Sequence, residues 1–127
     1  MTTLINIKKL KAHEKTDKRN LTRVKNILYQ AKYFTQPIIV EYKNFVILDG
    51  HHRAKALKNM GYGKIPAYLV DYQNKNIKVI SRRPNIMLSK ENIIQRALSG
   101  KPYPYKTSKH LIPHRPKNLK IKLEKLI

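Results

Sequence analysis

The sequence predicts a small α/β (α+β) domain with one curved mixed sheet and about three helices. Three observations carry that prediction. The 127 residues suit one compact domain, 1–127, and leave little room for a second. The apolar share of 41% is ordinary for a folded chain. Strand-length apolar runs and stretches of three-to-four-residue apolar period interleave along the chain, rather than separating into all-strand and all-helix halves.

Residues 4–7 alternate enough for a first strand, and a loop through Lys11, Ala12, His13 and Glu14 follows. Thr16 or Asp17 can cap a helix running to about Tyr33, with Leu21, Val24, Ile27, Leu28 and Ala31 as one buried stripe. Pro37 ends that segment. Residues 38–40 and 45–48 read as two strands joined by a short hairpin turn at Lys43 and Asn44. Asp49 and Gly50 break the second strand. A helix over about 51–60 then packs through Ala54, Leu57 and Met60, with Gly61 as a left-handed stop. Residues 64–72 form another strand with Pro66 near its start, and 77–80 a further short one. A connector at 82–88 leads to a helix over 89–99, capped by Ser89, faced by Ile93, Ile94, Ala97 and Leu98, and stopped by Gly100. A Pro-broken loop at 101–105 and a run at 106–113 lead to a tail, where Leu119, Ile121 and Leu123 suggest a last strand.

Composition narrows the function classes. No apolar run is long enough for a transmembrane helix, and residues 1–10 lack the apolar stretch of a secretory signal. With no cysteine, the chain has no disulfide, thiolate ligand or cysteine nucleophile, which fits a cytoplasmic location. The formal charge of +21 points to anionic partners. The basic residues are spread evenly, however: residues 1–30 hold eight and residues 101–127 another eight. Lys, Ile and Asn, which share A/T-rich codons, make up over a third of the chain. A polyanion-binding surface and simple composition bias both account for the charge.

Asp49-Gly50-His51-His52-Arg53 is the chemically distinctive segment. It follows an apolar strand and opens an amphipathic helix, where backbone amides lack intrahelical acceptors and the helix dipole is positive. Such a junction favours an anion, most often phosphate. Gly50 lets the backbone approach closely, His52 and Arg53 add donors, and Asp49 can orient a hydroxyl or hold Mg2+ beside phosphates. A zinc site from His51 and His52 is disfavoured, because adjacent histidines diverge and no further ligands have suitable spacing.

Residues 37–57, PIIVEYKNFVILDGHHRAKAL, resemble the core of the ParB/sulfiredoxin-like superfamily, and within it the chain is most similar to the free L-serine kinases. The loop Leu10-Lys11-Ala12-His13-Glu14 resembles the kinases' catalytic-glutamate loop. Val70-Asp71-Tyr72 with Ile77-Lys78-Val79 resembles their paired late strands, and Lys106-Thr107-Ser108-Lys109-His110 their Lys-Thr-Thr-Arg-His segment. The resemblance implies transfer of a phosphoryl group from ATP or ADP to free L-serine, giving O-phospho-L-serine for cysteine and serine metabolism, with Mg2+. It implies Glu14 as general base and Asp49 as the residue positioning substrate or metal. Gly50, His51, His52 and Arg53 would cradle phosphate. Residues 106–127 would serve as substrate-binding segment and tail, through Lys106, Thr107, Ser108, Lys109 and His110.

The chain also departs from that pattern. Only the connector 82–88 stands where some of the kinases carry a long insertion, and Arg82, a substrate-binding candidate, stands where they have a tryptophan near the serine pocket. Ser108 replaces Thr and Lys109 replaces Arg, which removes a bidentate contact. The alternative is a ParB-like, nucleotide-dependent DNA- or RNA-binding regulator. The charge favours it, but no helix-turn-helix follows the nucleotide motif. Tyr103 and Tyr105 read as loop packing.

Overall fold

A computed structural model describes residues 2–127. Its main sheet has four strands in the order β1 (Thr2–Asn6), β5 (Lys64–Val70), β3 (Ile38–Glu41), β4 (Ile47–Asp49). β1 and β5 are antiparallel, β5 and β3 parallel, and β3 and β4 antiparallel. Helix α2 (His51–Asn59) makes the crossover between the hairpin β3–β4 and β5. Pro66 pairs with Leu4 of β1, while pairing with β3 begins at Ala67, so its missing N–H lies outside the parallel ladder.

The sheet is covered on both faces, which explains the unbroken apolar run at 38–40. Ile38, Val40 and Ile47 pack with Ala54, Ala56 and Leu57 of α2. Ile39, Val46 and Leu48 face the other way, toward Tyr72, Tyr103 and Ile93 of α3 (Lys90–Ser99). The buried Glu41 is satisfied by the hairpin turn, where it accepts the amides of Lys43 and Asn44 at 3.2 and 2.5 Å. Ser89 and Gly100 cap α3 as the sequence indicates, Gly100 at φ 71°.

Four local expectations are corrected. Helix α1 (Lys18–Ala31) is capped by Asp17 and stops two residues before Tyr33, because Lys32 turns left-handed at φ 62°. Tyr33 belongs instead to β2 (Tyr33–Phe34), paired with β8 (Ile121–Lys122). The stripe of α1 is also narrower than expected. Only Leu28 is fully buried and Ile27 and Ala31 are exposed, since α1 packs chiefly on α2 and not on the sheet. On α3, Leu98 is exposed. Finally, residues 108–111 are a strand, β7 (Ser108–Leu111), and it is this strand, not β5, that pairs antiparallel with β6 (Lys78–Ser81). That pairing carries the 106–110 segment to the site.

Candidate active site

Two backbone clamps fix the loop around Glu14. Lys11 N–H donates to Phe45 O and Ile47 N–H to Lys11 O, both at 2.9 Å, which ties the loop to β4. On the other side Tyr103 N–H donates to His13 O at 2.7 Å and Lys15 N–H to Tyr103 O at 2.8 Å. Tyr103 is thus buried packing and an anchor for the loop. Between the clamps, the Glu14 carboxylate accepts Thr107 N–H at 3.0 Å and the Ser108 hydroxyl at 2.5 Å. Burial works to raise the Glu14 pKa. Contacts with His13, Ser108 and Thr107, with the nearby His51, outweigh it and hold Glu14 at about 2.

The strand-to-helix junction is built as its residues suggest. Gly50 sits at φ 104° as the N-cap of α2, with no side chain to cap the helix. A Cβ there would overlap Ile38 Cγ2 and lie 2.8 Å from Arg53 Nη2, so both conformation and space require glycine. The amides of His51, His52 and Arg53 consequently open the helix without intrahelical acceptors.

The two histidines are not cationic donors. His51 Nε2 accepts the His13 amide at 3.2 Å, and His52 Nε2 accepts the Asp17 amide at 2.9 Å. Each ring therefore carries its hydrogen on Nδ1. Burial, then the neighbouring His13, lowers His51 to about 3, and burial lowers His52 as well. Their observed bonds organise the site: His52 ties the start of α1 to the start of α2, and His51 supports the Glu14 loop. His110, buried on β7, meets the Tyr72 hydroxyl at 2.7 Å and is lowered to about 3 by burial and His13.

Asp49 ends β4 at the cleft edge, where Arg115 Nη2 donates to its Oδ2 at 2.5 Å. Burial works to raise the Asp49 pKa, but the Arg115 hydrogen bond and the Arg53 charge hold it below the usual carboxylate range. The Arg53 guanidinium donates to Gln36 Oε1 at 3.1 Å and to Pro37 O at 3.5 Å. The Nε groups of Arg53 and Arg115 are buried with no partner among the described residues.

These groups line one cleft of about 380 Å³. Glu14, Asp49, Gly50, His51, His52, Arg53, Arg82, Lys106, Ser108, Lys109 and His110 all reach it. The residue that does not is Thr107. Its side chain is buried and its hydroxyl donates to Pro104 O at 2.6 Å, so its amide, and not its side chain, serves the site. Sequence reasoning missed His13, Lys15, Arg23 and Arg115. The cleft carries seven Lys or Arg side chains against two carboxylates, so a charge evenly spread along the chain is concentrated here in space. It suits an anion bearing several negative charges.

No group of three or more metal-ligating side chains occurs among the described residues, and no helix is long and apolar enough to cross a membrane. Asp49 alone, with one oxygen held by Arg115, fits the single-carboxylate share of a Mg2+ that is otherwise bound by phosphates.

The family model of the ParB N-terminal domain matches residues 2–86. The chain belongs to that family. It is 31% identical over 96 residues to an ATP-dependent L-serine kinase of Staphylothermus marinus, covering 72% of this chain and 38% of the relative. It is 24% identical over 96 residues to the ADP-dependent L-serine kinase SerK of Thermococcus kodakarensis, covering 72% and 40%. The chain thus spans about two fifths of the length of the curated relatives it matches. A solved free serine kinase in complex with AMP superposes with a TM-score of 0.91 at 16% identity, covering 99% of this chain and 93% of that one. The fold of this ParB-family domain is therefore that of the free serine kinase.

Proposed function

We propose that the domain is a free serine kinase, transferring a phosphoryl group from ATP or ADP to the hydroxyl of L-serine to give O-phospho-L-serine. One observation carries the reading. The Glu14 carboxylate, held by Thr107 and Ser108, lies in the same basic cleft as the uncapped start of α2. Phosphoryl transfer needs donor and acceptor aligned, charge on the transferred group neutralised, and a group to receive the hydroxyl proton. The amides of residues 51–53 and Arg53 would hold the nucleotide phosphates, Gly50 permitting close approach. Lys106, Lys109 and Arg82 would meet the carboxylate of serine or the transferred phosphate, with Ser108 and His110 lining the same cleft. Glu14 would orient the serine hydroxyl and take its proton.

Mg2+ would be held by Asp49 and the phosphates and would supply charge neutralisation as the bond to the leaving group breaks. Relatives of both kinds, named ATP-dependent and ADP-dependent, support a nucleotide donor. The cytoplasm, with its nucleotide pool, is the compartment this reading implies, and supply of O-phosphoserine for cysteine synthesis is the role. Incubation with Mg2+, ATP or ADP and a panel of amino acids, followed by phosphorus NMR, tests the reading. Phosphoserine is expected with serine alone. Nucleotide binding with no phosphorylated amino acid would favour the regulator instead.

A further inference from the structure

We propose that Ser108 and His13 form a proton relay behind Glu14, so that the proton of the acceptor hydroxyl ends on a buried imidazole and not on the carboxylate that first receives it. The inference rests on the kinase reading above. It starts from a fully buried histidine to which that reading gives no task.

Counting hydrogens makes the case. His13 Nδ1 lies 2.7 Å from the Ile47 carbonyl, so it carries a hydrogen, and in the neutral ring Nε2 is then an acceptor. Nε2 lies 2.9 Å from Ser108 Oγ, and Ser108 Oγ lies 2.5 Å from Glu14 Oε2. A single hydroxyl hydrogen therefore stands between two acceptors. Whichever it serves, the other faces a lone pair, and the direct approach of His13 Nε2 to Glu14 Oε2 at 3.4 Å has the same shortage. In that tautomer the trio is one proton short. An arriving proton completes it, giving either imidazolium and carboxylate or neutral imidazole and carboxylic acid, with every contact satisfied.

The groups around His13 set where that proton rests. His51 on α2 packs edge-on with ring centroids 4.6 Å apart, and His110 on β7 at 5.7 Å. His51 accepts the His13 amide, and both neighbours are held neutral by burial, so neither competes for the proton. Glu14 is the carboxylate that faces the ring, and Asp49 at the end of β4 is engaged with Arg115. Glu14, held at about 2, is a weak proton store on its own.

The step balances. The acceptor oxygen bonds to phosphorus while the bond from phosphorus to the bridging oxygen breaks, its electron pair leaving on the shortened nucleotide. The acceptor's proton goes to Glu14, Glu14 passes one to Ser108 Oγ, and Ser108 releases its own to His13 Nε2. Glu14 and Ser108 finish as they began, and His13 finishes as imidazolium. Ser108 and His13 are thus positioning residues acting through Glu14.

The test is the pH dependence of kcat for phosphoserine formation in wild type, Ser108→Ala and Ser108→Thr. In wild type, activity falls in acid as the relay fills with protons. Cutting the relay in Ser108→Ala leaves Glu14 with only the longer 3.4 Å approach of His13 Nε2, so kcat falls about tenfold or more and the acid limb moves to lower pH. Ser108→Thr keeps the hydroxyl and restores both. A purely structural role for Ser108 would remove one of the bonds that lower Glu14 and so move the limb to higher pH. A wild-type enzyme that makes phosphoserine while the acid limb of Ser108→Ala stays in place or moves to higher pH overturns the relay alone. A wild type that makes none removes the kinase reading and the relay together.

Discussion

Substituting alanine at Gly50 and at Gly61 separates two costs that glycine avoids. Both residues have positive φ, 104° and 92°. A Cβ at Gly61 meets nothing within 4 Å, whereas at Gly50 it overlaps Ile38 and lies 2.8 Å from Arg53 Nη2. The left-handed conformation costs a non-glycine residue about 1–2 kcal/mol. Overpacking a filled core adds about 1–3 kcal/mol. Gly61→Ala should therefore lose about 1–2 kcal/mol and Gly50→Ala about 2–5 kcal/mol. At about 3–5 °C per kcal/mol for a chain of this size, the extra drop in Tm at Gly50 is about 3–15 °C. Thermal unfolding followed by circular dichroism reads it directly. Equal shifts for the two variants would refute the claim that Ile38 and Arg53 close around the start of α2.

Further predictions follow from the site. His51 and His110 are lowered to about 3 by burial, so as pH falls from 6.5 toward 3 the unfolded chain takes up protons that the folded one does not. Stability should be nearly flat above that window and fall as pH drops through it; urea titrations giving one stability at pH 7.5 and pH 5 would contradict the buried neutral rings. Glu14 and Asp49, both depressed, add a loss in the same direction as pH drops through the carboxylate range. Arg53→Ala should weaken nucleotide binding about tenfold or more by calorimetry, while the α2 packing through Ala54 and Leu57 holds the fold; unchanged affinity would remove Arg53 from the phosphate site. Nucleic-acid binding should be weak at physiological salt and indifferent to sequence. Tight, sequence-dependent retardation of a duplex would favour the regulator.

Local physics made the middle of the chain legible. The hairpin, the Asp-Gly break and the amphipathic α2 each obey a short-range rule, and together they aim five consecutive residues at the cleft. Residues 106–110 gave no such local signal. Their strand is defined only by pairing with β6, and their bond to Glu14 closes a loop of 94 residues. Family resemblance supplied what periodicity could not. The neutrality of His51 and His52 was invisible for the same reason, because their acceptors' partners are backbone amides on distant loops. Arg115 lies in a Pro-flanked basic stretch that reads as tail, and only the folded chain brings it to Asp49. The end of α1 was misjudged because a lysine, not a glycine, takes the left-handed position.

The central claim is that Glu14 serves phosphoryl transfer to serine at the mouth of the α2 cradle. Its most direct test compares wild type with Glu14→Gln, measuring phosphoserine by phosphorus NMR and nucleotide affinity by calorimetry on the same preparations. Glutamine keeps the shape and the acceptor for Thr107 N–H but cannot take the proton. The account predicts a loss of turnover of about a hundred- to ten-thousand-fold with nucleotide affinity nearly unchanged. Phosphoserine formed by Glu14→Gln at the wild-type rate would contradict it.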